Sequence, residues 1–222
     1  MNRVCWYKNK CKLESENCTE NCLRYQNMNI LIDKSGLPTN FQYPITLYPD
    51  AVDLESFEIL AEAKNQISQL VKDGKSIYIW SVRAGNGKST WASKILLAYF
   101  NDIWALSQLK TRGMYIYLPT LLNALKSQFL NGISISEYVQ EIKECPLVIL
   151  DELGCGKLSN TDINNLLDIV EFRLSNNKST IFTSNLGENE LRNLFGDRLT
   201  SRIYNSSLVV ELKGSDKRGV AL

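Results

Sequence analysis

The sequence predicts an α/β fold in which a parallel five-stranded sheet lies between helices, and three observations carry that prediction. From residue 75 onward, short apolar runs alternate with stretches whose apolar residues recur at helical spacing, as expected of a parallel sheet covered on both faces. One apolar run leads through a glycine-containing loop into a helix, over 77–90. Another, at 147–150, ends on two adjacent carboxylates, Asp151 and Glu152, which a parallel sheet places at its carboxyl edge, where ligands bind.

In chain order, residues 1–35 read as a cysteine-containing appendage. Residues 36–52 carry Gly36, Pro38, Pro44 and Pro49 and read as an extended connector, because each proline fixes its own φ and turns its predecessor away from helix. Asp53 is placed as the N-cap of a single amphipathic helix bearing Leu54, Phe57, Leu60, Ala61, Ile67, Leu70 and Val71, which Gly74 stops. The expected division is therefore 1–35, 36–74 and 75–222. Within the last segment, strands are expected at 77–82, 114–118, 147–150, 180–183 and 208–212, with helices at 90–99, 121–129, 163–174 and 191–204. Ser134 and Glu137 have the spacing of a capping box and predict one more helix start, with Glu137 in a structural role.

Composition narrows the function classes. No apolar stretch approaches the roughly 20 residues needed to cross a bilayer, and the polar N-terminus is unlike a signal peptide, so a cytoplasmic protein with no membrane partner is expected. The net charge of +1 excludes a global field that would hold nucleic acid, leaving a local patch or a partner to make any DNA contact. Lys213, Lys217 and Arg218 are a candidate patch, against the plainer reading of a solvated tail.

The loop contains Ala84-Gly85-Asn86-Gly87-Lys88-Ser89-Thr90. Small residues let backbone N–H groups curl around phosphate oxygens, and the helix N-terminus adds a favourable partial charge. Lys88 would reach the β- and γ-phosphates, and Ser89 would give its hydroxyl to Mg²⁺. Val82 stands where this motif usually has its first glycine, which puts loop geometry in question more than nucleotide binding. Asp151 would hold Mg²⁺ and Glu152 would polarise the attacking water. The extra strand at 114–118 between the two motifs, with a glutamate beside the metal aspartate, marks the branch of P-loop proteins that use a catalytic glutamate.

The strand at 180–183 leads to Asn185, whose amide would sense the γ-phosphate and its water from the same sheet edge. Arg198 and Arg202 are four apart and share a helix face. They suit either a contact to a neighbouring subunit's γ-phosphate or surface ion pairing.

Taken together, the motifs at 84–89, 148–154, 180–186, 196–203 and 214–218 resemble, in order and spacing, the DnaC/DnaI-type bacterial and phage helicase loaders, which are AAA+ P-loop ATPases. The resemblance implies Lys88 and Ser89 as Walker A, Asp151 and Glu152 as Walker B, and Asn185 as sensor 1. It also implies Arg202 as the arginine finger with Arg198 supporting it, and Arg218 as the family's last arginine. Residues from Ala84 to Thr90, with Asp151 and Arg218, would hold ATP or ADP. The chain stops at Leu222, so no C-terminal lid domain is expected, as in loaders of this type. The resemblance further implies a hexameric DnaB-type replicative helicase and single-stranded DNA as partners, and self-association through the ATP sites. Two readings remain beside it: an IS21-type transposition helper ATPase, and a nucleotide-gated adaptor with little turnover.

Cys5, Cys11, Cys18 and Cys22 place four thiols in a segment too small to build its own core. Four sulfurs suit tetrahedral Zn²⁺, and an iron–sulfur cluster, free thiols or a disulfide are the alternatives. By analogy with the loaders, residues 1–35 would be the helicase-docking module. Cys145 reads as core, and Cys155 has no histidine in the chain to activate it.

Overall fold

A computed structural model describes residues 5, 22–43, 45–108, 110–127, 129–130 and 133–217. Its centre is a five-stranded sheet built from β1 (Ser76–Trp80), β2 (Gly113–Tyr117), β5 (Leu147–Leu153), β6 (Ser179–Ser184) and β7 (Ser207–Glu211). Their spatial order is β2-β5-β6-β1-β7, and every pairing is parallel. All five expected strands are present. Two short strands not foreseen, β3 (Phe129–Leu130) and β4 (Ile133–Ser134), form a separate antiparallel pair.

Strands β1, β2, β5 and β6 are buried on both faces, which is why they read as runs rather than as alternation, whereas the edge strand β7 leaves Leu208 and Val209 exposed. Ile77, Ile79, Leu147, Ile149 and Ile181 enter one core cluster, whereas Tyr78, Val148, Leu150 and Phe182 enter the other. The first cluster is covered by α1 (Leu23–Ser35), α2 (Leu54–Asn65), α3 (Ile67–Lys72) and α4 (Lys88–Ile103). The second is covered by α5 (Leu118–Ser127), α6 (Ile135–Glu144), α7 (Asn160–Ser175) and α8 (Glu188–Ser206). Helix α1 falls inside the segment 1–35, and its Met28, Leu31 and Ile32 bury in the same cluster as the sheet.

Three local expectations are corrected. The single helix over 53–74 is two helices, because Gln66 leaves helical geometry (φ −104°, ψ 12°) between α2 and α3, and both then pack on α4. Asp53 precedes α2 but caps nothing with its side chain, since its carboxylate is engaged by a distant part of the chain. Ser134 starts α6 without the capping box to Glu137, its hydroxyl instead lying 2.7 Å from Ser136 Oγ. The capping box belongs to α7, where Ser159 and Asp162 exchange side-chain and backbone hydrogen bonds.

Among the described residues, the largest fully buried side chain is Arg173. Its guanidinium donates to the carbonyls of Ile142 (2.5 Å), Cys145 (2.8 Å) and Ser179, and to Thr180 Oγ1 (2.9 Å). Burial pushes its pKa down to about 10, so it stays charged at neutral pH and satisfies the carbonyls leaving α6. Cys145 is buried as expected, and burial pushes its thiol up to about 12.

Candidate nucleotide site

The site lies where β1, β6 and β5, three neighbours in the sheet, reach their carboxyl ends. After β1 the chain loops through residues 81–87 and enters α4 at Lys88. Gly85 (φ +79°) and Gly87 (φ +102°) sit in the left-handed region, and a Cβ on Gly85 would come within 1.9 Å of the Asp216 carboxylate. Val82 is 71% exposed and is not among the described non-glycine residues of positive φ. The chain therefore leaves the strand without needing glycine there.

The loop is braced from within. Asn86 Nδ2 donates to Ser81 Oγ (2.5 Å) and to the Leu212 carbonyl (3.0 Å) just beyond β7. Lys88 is buried, with Nζ donating to the Arg83 carbonyl (2.9 Å) and approaching Asn86 Oδ1 (3.4 Å). Its ammonium thus curls over its own loop, toward acceptors that phosphate oxygens can replace. Ala84 is exposed in the loop, and Thr90 lies in the first turn of α4.

Asp151 on β5 is 3% exposed and accepts three hydroxyl donors: Ser89 (2.7 Å) and Thr183 (2.5 Å) on Oδ1, and Tyr115 on Oδ2. Burial, and then the Asp151 carboxylate, push the Tyr115 hydroxyl well above the ordinary tyrosine range, so it is the donor. A carboxylate and a serine hydroxyl side by side form the oxygen-rich donor set that a hard divalent cation takes. Glu152 interrupts the β5–β6 register in a bulge, adopts φ +65°, and gives its peptide N–H to Thr183 Oγ1 (3.1 Å). A non-glycine residue held there stores about 1–3 kcal/mol of strain, a cost that recurs where a side chain must be aimed. Asn185 follows β6 directly and is exposed.

Two parts of this arrangement escaped sequence reasoning. Tyr115 and Thr183 became visible as partners of Asp151 only once β2 and β6 were known to flank β5. The loop is also backed by the connector and the tail. Leu47 packs against Gly87, and Lys217 N–H donates to the Gly85 carbonyl at 2.9 Å. Asp53, fully buried, accepts N–H groups of Lys213 (2.7 Å) and Gly214 (2.9 Å), while Asp50 accepts the N–H (2.5 Å) and hydroxyl (2.9 Å) of Ser215. Lys213 and Lys217 are therefore also engaged with acids, at 3.4 Å from Glu211 and Asp50 respectively.

Of the remaining sequence-predicted residues, Arg198 and Arg202 stand on α8 and both pair with Glu171 of α7. Arg218, Cys11 and Cys18 lie outside the described residues. Cys5 and Cys22 are half-buried free thiols, and among the described residues no group of three or more His, Cys, Asp or Glu side chains could hold a metal. No helix among the described residues is long and apolar enough to cross a membrane.

A glycine loop between strand and helix, an inward lysine and an aspartate beside its serine on an all-parallel sheet define a P-loop nucleotide-binding domain of the AAA+ class. The chain belongs to the family of IstB-like ATP-binding proteins, whose model matches residues 103–219. That match takes in β2, β5, β6, α8 and β7 and begins after the phosphate loop, so the loop stands on its own geometry. Among curated proteins, the replicative helicase loader DnaI of Bacillus subtilis is 24% identical over 158 residues, covering 65% of this chain and 48% of DnaI. The replicative helicase loader DnaC of Escherichia coli is 25% identical over 149 residues, covering 65% of this chain and 56% of DnaC. This chain thus spans about half the length of the curated relatives it matches. The crystal structure of the DnaC helicase loader superposes with a TM-score of 0.62 at 20% identity, over 75% of this chain and 94% of that one, which establishes the shared fold.

Proposed function

We propose that this protein is an ATP-dependent loader that binds a hexameric DnaB-type replicative helicase and places it on single-stranded DNA, with ATP hydrolysis as the release switch. The nucleotide half of the proposal is carried by one observation: Lys88, the Ser89–Asp151 pair, Glu152 and Asn185 converge at the ends of three neighbouring strands. The loader half rests on the likeness to DnaI and DnaC.

In this reading the loop from Ala84 to Thr90 cradles the phosphates, and Lys88 exchanges its loop acceptors for phosphate oxygens. Ser89 and Asp151 hold Mg²⁺, which neutralises charge on the β- and γ-phosphates. Glu152, aimed by its bulge, orients and polarises the water, and Asn185 hydrogen-bonds the terminal phosphate. Arg202, with Arg198 beside it, serves the site of a neighbouring subunit, and Arg218 completes the nucleotide contacts. Cys5, Cys11, Cys18 and Cys22 take Zn²⁺ and shape residues 1–35 as the helicase-docking module.

The test is light scattering after size-exclusion chromatography of the protein mixed with a hexameric DnaB-type helicase, with ATP or ADP, for wild type, Lys88→Ala and Cys18→Ser. An ATP-dependent complex that Lys88→Ala abolishes supports the loader, and its loss in Cys18→Ser makes the cysteine segment the docking module. The family match favours one second reading, an IS21-type transposition helper. No helicase complex, together with ATP-dependent binding of duplex DNA, would establish that alternative.

A further inference from the structure

Arg198 and Arg202 share a single acceptor. The Arg198 guanidinium meets the Glu171 carboxylate through Nε and Nη2, each at 3.0 Å, whereas Arg202 Nε lies 3.6 Å away. Two cations on one carboxylate leave one positive charge over, carried on side chains that are 68% and 56% exposed. Surplus charge of this kind, on planar donors, matches a phosphate group.

Those phosphates are not the protomer's own. Helix α8 begins at Glu188, just past Asn185 at the carboxyl edge, and returns the chain to Ser207, which pairs with Ser76 at the amino end of β1. Gly196 (φ +79°, ψ 169°) breaks α8 in two, and Arg198 and Arg202 both lie on the second part, where a rise of 1.5 Å per residue puts Arg202 roughly 7 Å and Arg198 about 13 Å from the Ser207 end, on the side of the sheet's amino edge.

We infer that Glu171 is a holding carboxylate, a positioning residue that keeps both arginines paired in the lone protomer and yields Arg202 to a nucleoside triphosphate bound in a second copy of this chain. The inference rests on the reading of Arg202 given above and adds what restrains it. Arg198 is anchored through two nitrogens, so it stays on Glu171 and keeps α7 joined to α8. Arg202 is held by one long approach on an exposed surface, and such pairs are weak, so it is the one released. Because the carboxylate competes with the phosphate, Glu171 raises the concentration at which triphosphate-bound copies assemble.

Sedimentation velocity on the full chain with Mg²⁺ and a non-hydrolysable ATP analogue, or with ADP, tests this. Glu171→Gln, which keeps the shape and removes the charge, should tighten self-association about three- to fivefold with the analogue and leave the ADP state unchanged. Glu171→Asp should stay close to wild type, and Arg202→Ala placed on top of Glu171→Gln should remove the gain. If Glu171 is only a tie between helices, Glu171→Gln will lower the melting temperature and leave association equal or weaker in both nucleotide states, which overturns the inference. If Arg202→Ala alone leaves analogue-dependent association intact, it is the reading of Arg202 that has failed.

Discussion

Two buried aspartates, Asp151 and Asp53, satisfy the same physical demand in different ways. Each is removed from water and must find donors for its oxygens, since an uncompensated buried carboxylate is costly. Asp151 is met by three side-chain hydroxyls, from Ser89, Thr183 and Tyr115. Asp53 is met by two backbone N–H groups, from Lys213 and Gly214. Hydroxyls rotate and can accept as well as donate, so the Asp151 set can turn to serve a cation. Backbone amides cannot turn without moving the chain, so Asp53 is committed to holding the tail. Burial of a carboxylate alone does not mark a functional site; the mobility of its donors separates the two.

The largest test of that contrast is Asp53→Ala, which leaves the buried Gly214 N–H and the part-buried Lys213 N–H without their acceptor and should cost about 2 kcal/mol in urea denaturation. Asp151→Asn should do the reverse, changing stability by under about 1 kcal/mol while weakening the Mg²⁺ dependence of nucleotide affinity about tenfold. Equal losses of stability in the two variants would break the comparison. Smaller again is Ser159→Ala, which removes the α7 cap and should cost about 1 kcal/mol, whereas Ser134→Ala should fall within roughly 0.5 kcal/mol of wild type. The gentlest probe is pH. Ser215 and then Lys217 hold the Asp50 carboxyl below the usual carboxylate range, so its hold on the tail is present above about pH 4 and is lost as the pH falls further. Proteolysis of the tail should accelerate over that window, and an unchanged rate would assign the hold to Asp53 alone.

Much of the fold was legible because burial on both faces writes strands such as β1 and β5 as apolar runs, and all five expected strands formed, the half-exposed edge strand β7 among them. The loop at 81–89 and the carboxylates after Leu150 were legible because both motifs are local. What the sequence hid was non-local or ambiguous. Asp53 meets its partners 160 and 161 positions away, and no periodicity reports that. Ser134 and Ser159 both have an acid three residues on, and only packing decides which pair closes into a box. Arg173 carries no signal in the sequence, yet it is fully buried, where its guanidinium donates to the carbonyls leaving α6.

The hydrogen bond from Asn86 to the Leu212 carbonyl, with Lys217 on Gly85, ties the phosphate loop to residues synthesised more than a hundred positions later. A ribosome makes the chain in one direction. Until β7 and the tail have left the exit tunnel, the loop lacks its backing, and the growing polypeptide can have its glycines, lysine and serine in place yet no shaped receptacle for phosphate. The described shape of the phosphate loop therefore waits on residues made more than a hundred positions after it.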